Sequence, residues 1–152
     1  MAGIIDGFVG ELNKDLVKVT TKWKKKTLTE MKNILRRNGK GDSRLIKNID
    51  ILISIKSDGK LSITSALPSY SIYVDRGRKK NSTPPPIRPI MEWIKRYKID
   101  RNPYAVARNI GKNGIKATYF MKPLSNIDQL VKDISEVTSL KISKAITDVV
   151  KK

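Results

Sequence analysis

From Phe8 to Ile34 the apolar residues fall mostly at steps of three and four, and from Ile49 to Ile55 they fall at every second position. A period near 3.6 followed by a period of two restricts the fold more than any other feature of this chain. The first pattern predicts an amphipathic helix from about Gly10 to Asn38. Phe8, Leu12, Leu16, Val19, Trp23, Met31 and Ile34 share its apolar face. Asn38-Gly39 and Gly41 supply a stop. The second pattern predicts a strand, with Ile49, Ile51, Ile53 and Ile55 on one face and Asp50, Leu52, Ser54 and Lys56 on the other. Ser57-Asp58-Gly59-Lys60 reads as a tight hairpin turn, and Leu61, Ile63 and Ser65 run back. An aspartate at Ile53 is expected to unfold the subunit, because it would bury an unpaired charge.

Further along, Ser69 to Asp75 reads as a third segment, extended or mixed, in which Tyr70, Ile72 and Val74 can share one face. Arg76 to Pro86, RGRKKNSTPPP, can form neither a helix nor a central strand and is expected to be an exposed basic, proline-rich loop. A short helix is expected over Arg88 to Lys98, buried through Ile87, Ile90, Met91, Ile94 and Tyr97. A second is expected over Pro103 to Lys112, capped by Asn102, started by Pro103 and ended at Gly114. Ile115 to Met121 reads as a strand stopped by Pro123. A last helix covers Ser125 to Val150, with Ile127, Val131, Ile134, Thr138, Ile142, Ala145 and Val149 as its stripe and Ser125 and Asp128 at its start. The expected fold is α+β: a small antiparallel sheet packed with a long N-terminal helix, two short inserted helices and a long C-terminal helix. No repeat or linker divides the chain, so one domain over residues 1–152 is expected. Hydrophobic residues at 39% suffice for one core.

The chain has no histidine and no cysteine. The usual general base, the commonest metal ligand, the thiolate nucleophile and the disulfide are therefore all excluded. The acidic residues are scattered. Asp133 and Glu136 are three apart on a helix, which reads as a solvated face. Gly39 to Ser43 lacks the spacing of a phosphate-binding loop. A binding and assembly role without catalysis, metal or cofactor is expected, and a carboxylate-only, metal-dependent nuclease is the least favoured alternative. Met1 to Gly10 has no basic leader, and no apolar run approaches the roughly 20 residues that span a bilayer. A soluble protein folded in a cytoplasm, away from membranes, is the expectation.

Basic residues number 32 against 14 acidic ones, a formal +18. Such an excess acts on association rather than on fold. Lys14, Lys18, Lys22, Lys25, Lys32 and Arg36 form one stripe on the first helix, and Arg76, Arg78, Lys79 and Lys80 cluster in the loop. Both are candidates for contact with DNA or with an acidic partner. The bland reading of each is a solvated surface. Trp93 sits at the edge of its helical stripe, between core packing and an intermolecular anchor.

Tyr70 and Tyr73-Val74-Asp75-Arg76-Gly77 resemble the Tyr-x-x-Tyr-Val-Glu/Asp-x-Gly segment of the head–tail joining proteins of tailed bacteriophages, also labelled minor tail component or tail completion protein. The order then continues as in that family. Pro84-Pro85-Pro86 is followed by Ile90 with Trp93-Ile94, Lys98-Ile99, Ala105 to Ile110, and Gly114-Ile115-Lys116-Ala117-Thr118-Tyr119-Phe120. The family's closing Pro-Phe-x-x-Pro-Ala is met only by Phe120 and Pro123. Tyr119 replaces its first proline, Leu124 follows Pro123, and Asp75 stands for the commoner glutamate. The resemblance covers about Tyr70 to Leu124. It implies a non-enzymatic virion subunit, without cofactor, in an oligomeric ring at the neck or tail top. Its partners would be portal or connector and tail proteins, with sequence-independent DNA contact through the basic faces. Tyr73, Asp75, Gly77, Pro84, Pro85, Pro86, Trp93, Phe120 and Pro123 are then the candidates for subunit or partner contact, with the proline loop as an arm. A basic, sequence-independent nucleic-acid-binding domain is the alternative.

Overall fold

The computed structural model describes residues 2–56 and 60–150, residues 2–6 in backbone only. The architecture is α+β, with a long helix at each end and one two-stranded antiparallel sheet. The elements are α1 (Ala2–Arg37), α2 (Arg44–Asn48), β1 (Asp50–Ile55), β2 (Leu61–Ala66), α3 (Ser71–Arg76), α4 (Ile87–Tyr97), α5 (Pro103–Asn113) and α6 (Asp128–Val150). A 3-10 turn at Lys122–Ser125 precedes α6. The chain clusters into two compact units built from interleaved segments. Unit 1 comprises residues 1–33, 49–66 and 121–152, and unit 2 comprises residues 34–48 and 67–120.

In unit 1, α1 and α6 run antiparallel. Trp23 Nε1 donates to the Asn126 carbonyl at 3.4 Å, while Lys141 Nζ bridges Glu11 at 2.9 Å and Asp15 at 3.2 Å. Hydrogen bonding from Lys141 holds the Glu11 carboxyl below its ordinary value, and Lys18 and then Lys141 do the same for Asp15. Thr20, Trp23, Thr27, Met31, Ile49, Ile51 and Leu130 are buried. Thr20 loses no hydrogen bond by burial, because its hydroxyl donates to the Leu16 carbonyl at 2.8 Å. On the sheet, Ile53 faces Ile63 and Ile55 faces Leu61 across the ladder. Lys24 meets Asp50 at 2.9 Å, at the start of β1. The hairpin turn expected at Ser57-Asp58-Gly59 lies outside the described residues.

Burial along the isoleucine face is graded. Ile51 is fully buried, but Ile53 and Ile55 are only half-buried, beside a cleft of about 400 Å³ that Asn13, Val17, Thr20 and Thr21 also line. The residue whose loss unfolds the sheet is therefore Ile51 rather than Ile53. The stripe expected on α6 is also displaced. Leu130 is buried and Ile134, Val137, Thr138, Lys141 and Ala145 are half-buried, whereas Ile127, Val131, Ile142 and Val149 face outward. Ser125 does not cap α6. Its hydroxyl donates to the Lys122 carbonyl within the 3-10 turn, at 2.8 Å.

Unit 2 departs from the sequence reading in three places, the first being the short helix α2 at Arg44–Asn48, where no element is expected. Residues 71–76 are helical, not extended. Pro68 turns the chain, and its carbonyl accepts both the backbone N–H and the hydroxyl of Ser71, at 2.9 and 2.6 Å. Residues 115–121 make no strand. They form a single bridge, Ile115 to Arg78, after which the Thr118 amide bonds to the Val74 and Asp75 carbonyls and the Tyr119 amide to Asp75. The expected helices are present, α4 and α5 at nearly the expected bounds, although Met91, expected on the buried side of α4, is exposed while Ile90 is buried. Asn102 Oδ1 accepts from the Tyr104 and Ala105 amides, and Pro103 opens α5. Gly39, with φ +69°, ends α1, and the Lys40 amide returns to the Leu35 carbonyl at 2.9 Å.

Candidate interaction surface

Unit 2 contains an apolar groove of about 190 Å³. Tyr70 and the α3 residues Tyr73 and Val74 supply one part of its lining. Pro85 and Pro86 approach from the loop, and Pro89, Ile90 and Trp93 come from the first two turns of α4. Val106 and Ile110 on α5, with Ile115 beyond it, complete the apolar surface. Among the described residues, Arg78 is the only charged one that lines it.

Aromatic contacts fix the rings. Tyr70 packs edge-to-face on Trp93 and on Tyr97, each at 6.1 Å between centroids. The Arg44 guanidinium lies over the Tyr97 ring at 5.3 Å and also donates to the Tyr97 carbonyl. Burial first, and neighbouring Tyr97 next, push the Tyr70 phenol up to about 12, against a smaller opposing pull from Arg44. A phenol raised in the fold above its unfolded value of about 10 stabilises the fold fully below that pH, and the contribution is lost as pH rises through about 12. Ultraviolet titration of the folded protein should therefore show one tyrosine ionising late, and Tyr70→Phe should remove that step.

The loop from Arg76 to Pro86 is exposed at Arg76, Lys79, Lys80, Asn81, Thr83, Pro84 and Pro86, but its backbone is fastened. Arg78 and Ile115 exchange both amide bonds, at 2.7 and 2.9 Å. The Asn81 amide donates to Lys112 at 3.1 Å and that of Ser82 to Gly111 at 2.9 Å. Three glycines make this approach close enough. Gly77 and Gly114 precede the two bridge residues, with φ/ψ of +73°/−171° and +69°/−170°, a region open essentially to glycine alone. A Cβ on Gly77 would lie 2.6 Å from the Ile115 carbonyl oxygen, and one on Gly111 would lie 2.9 Å from that of Ser82. The loop is thus a wall of the groove tied to α5, not a free arm. Deleting residues 79–85 would remove hydrogen bonds of the fold itself.

Among the candidates for partner contact, the groove brings together Tyr73, Pro85, Pro86 and Trp93. Pro84 is exposed and covers Gly111. Asp75 is half-buried and holds the 118–119 turn through its carbonyl, and Gly77 serves backbone geometry. Phe120 is fully buried, so it is a core residue rather than a contact, because no partner could reach it in the folded chain. Pro123 lies outside unit 2, half-buried in the 3-10 turn. Tyr119 has φ +53°, which no proline ring can adopt. Val106 and Ile110 are groove residues that the sequence reading does not single out, although their spacing of four puts them on one face of α5. Nothing in the sequence said that this stripe would face Tyr73 and the prolines.

The charge is unevenly divided. The segments of unit 2 hold 17 of the 32 basic residues and 4 of the 14 acidic ones, a formal +13, which leaves +5 for unit 1. On α1, Lys14, Lys18, Lys22, Lys25 and Arg36 are exposed and Lys32 is half-buried. Lys18 is paired with Asp15 at 3.1 Å. Unit 2 is therefore the stronger anion-facing part. Among the described residues, no group of three or more acidic side chains could hold a metal ion. Asp133 instead accepts from the Gln129 amide at 2.6 Å. No described helix is long and apolar enough to cross a membrane. Comparison of the chain with protein-family models, with curated proteins and with solved structures finds no match.

Proposed function

We propose that this chain is a virion structural protein of a tailed bacteriophage. In this reading it is a neck or tail-completion subunit whose homo-oligomeric ring joins portal or connector to tail. It is made in the host cytoplasm, resides in the virion, and acts by binding and assembly rather than by catalysis. The motif order from Tyr70 to Phe120 suggests the family. The observation that carries the assembly role is the outward face of α6. Val131, Ile142, Ile146 and Val149 share one side of the helix and are 46–63% exposed. This row supports reading α6 as the surface through which the chain meets another protein.

Tailed particles of the source phage should contain the protein as a stoichiometric component, and its absence from them would overturn the reading. In solution or on particles, Ile146→Asp should reduce ring formation, read by light scattering or particle composition, while helix content by circular dichroism stays unchanged. A second reading, a sequence-independent nucleic-acid-binding domain, draws on the +13 of unit 2. It requires duplex binding that weakens steeply with salt.

A further inference from the structure

We propose that the groove of unit 2 is a docking site for an acidic, apolar-anchored peptide segment of a partner protein. The inference rests on the assembly reading only in taking the partner to be a protein.

The groove lining is aliphatic, proline and aromatic, the surface that takes up an apolar side chain or an extended proline-containing segment. One cation interrupts it. Arg78 donates through Nη2 to the Thr83 carbonyl at 2.6 Å, but its Nε is buried and has no hydrogen-bond partner. Nε itself is closed to an occupant, but the Arg78 side chain lines the groove, and a guanidinium gains most from a carboxylate. An occupant with an apolar anchor and a carboxylate one or two residues away answers both features. The surrounding charge agrees. The loop that walls the groove presents exposed Arg76, Lys79 and Lys80, and Arg88 stands at the head of α4.

A second copy of this chain is a poor occupant. It carries +18 itself, and would set like charge against the +13 of unit 2. Nucleic acid fits the charge but not the lining. Tyr70 and Trp93 are engaged edge-to-face with one another, and the groove offers aliphatic and proline surface where base recognition needs stacking faces and edge donors.

The test is affinity selection of short random peptides on the immobilised full-length protein, with Arg78→Ala, Arg78→Lys and Tyr73→Ala in parallel. The expected result is a consensus pairing aspartate or glutamate with an aromatic residue, leucine or proline. The synthetic consensus peptide should change the emission of Trp93, Trp23 being buried in unit 1. It should bind Arg78→Ala about tenfold or more weakly, as expected for loss of a charge-assisted hydrogen bond, with Arg78→Lys restoring part of the affinity. Should Arg78→Ala fail to fold, Tyr73→Ala reports on the same groove. Tyr73 is 43% exposed and lines the groove, so Tyr73→Ala is expected to keep the parent's circular dichroism spectrum.

No consensus, a consensus without an acidic residue, or equal binding by the Arg78→Ala or Tyr73→Ala protein would overturn the proposal. Tighter capture of Trp93 by a single-stranded oligonucleotide would also overturn it and favour the nucleic-acid reading. Light-scattering mass on the same samples separates the two ideas. Peptide binding lost at unchanged mass concerns the groove alone, whereas a chain that binds peptide but never enters particles fails only as a virion subunit.

Discussion

Ile51→Asp should abolish the cooperative thermal transition of this protein. Ile51 is fully buried in β1, and its ladder partner is Ser65. Truncating a buried isoleucine already costs about 2–5 kcal/mol. An aspartate there adds the burial of a carboxylate with no cation designed to meet it, which raises the cost further or forces protonation. Against a total stability of about 5–15 kcal/mol for a typical domain, that is enough to unfold the chain. Leu52→Asp is the internal control. Leu52 is 55% exposed on the opposite face, so its melting temperature should stay close to that of the parent. The half-buried Ile53 should fall between the two. A sharp, unshifted melt for Ile51→Asp would mean that the burial order along β1 is wrong.

Gly114→Ala should damage unit 2 almost as severely. The φ/ψ of Gly114, +69°/−170°, costs a residue with a side chain about 1–3 kcal/mol. The added Cβ would also collide with backbone, meeting the Arg78 carbonyl oxygen and, at 2.9 Å, the Lys80 nitrogen. Neither obstacle is a side chain that can swing away, so the Arg78–Ile115 bridge must open. A drop of at least about 6–12 °C in melting temperature is expected for a combined loss near 3 kcal/mol. Hydrogen exchange at Asn81 and Ser82 should accelerate, since their amides bond to Lys112 and Gly111. Gly77→Ala should behave alike, because Gly77 holds the mirror position before Arg78. Gly10→Ala, in α1 with open space around it, should be neutral or slightly stabilising. If Gly114→Ala melted like Gly10→Ala, the loop would not be fastened as described.

These two substitutions also separate what periodicity reveals from what it hides. The helices α1, α4, α5 and α6 were readable because each is long enough for its apolar spacing to exclude a strand. α5 was bounded by local chemistry at both ends, by Asn102 and Pro103 and then by Gly114. The hairpin was readable because four isoleucines alternate without a break. Residues 69–75 stay ambiguous in the sequence, because Tyr70, Ile72 and Val74 fit a period of two over a window too short to exclude a helical turn. The Pro68 turn and the lack of a partner strand decided against extension. Residues 115–121 have the composition of a strand, but only Ile115 finds an antiparallel partner.

The chain by itself thus determined α1, α4, α5 and α6, its hairpin, its excess of positive charge and the absence of histidine and cysteine chemistry. Those properties follow from spacing and composition, which are local. Only the tertiary structure decided which isoleucine carries the sheet, that Phe120 is core, and that the proline loop is tied to α5. It also decided that Arg78 sits with an unpaired donor in an apolar groove. Each of these depends on which backbone approaches which across long stretches of chain, and close approach leaves no periodic trace. Its only sequence mark is a glycine such as Gly77, Gly111 or Gly114, whose meaning appears when the atom that fills the space of the missing Cβ is known.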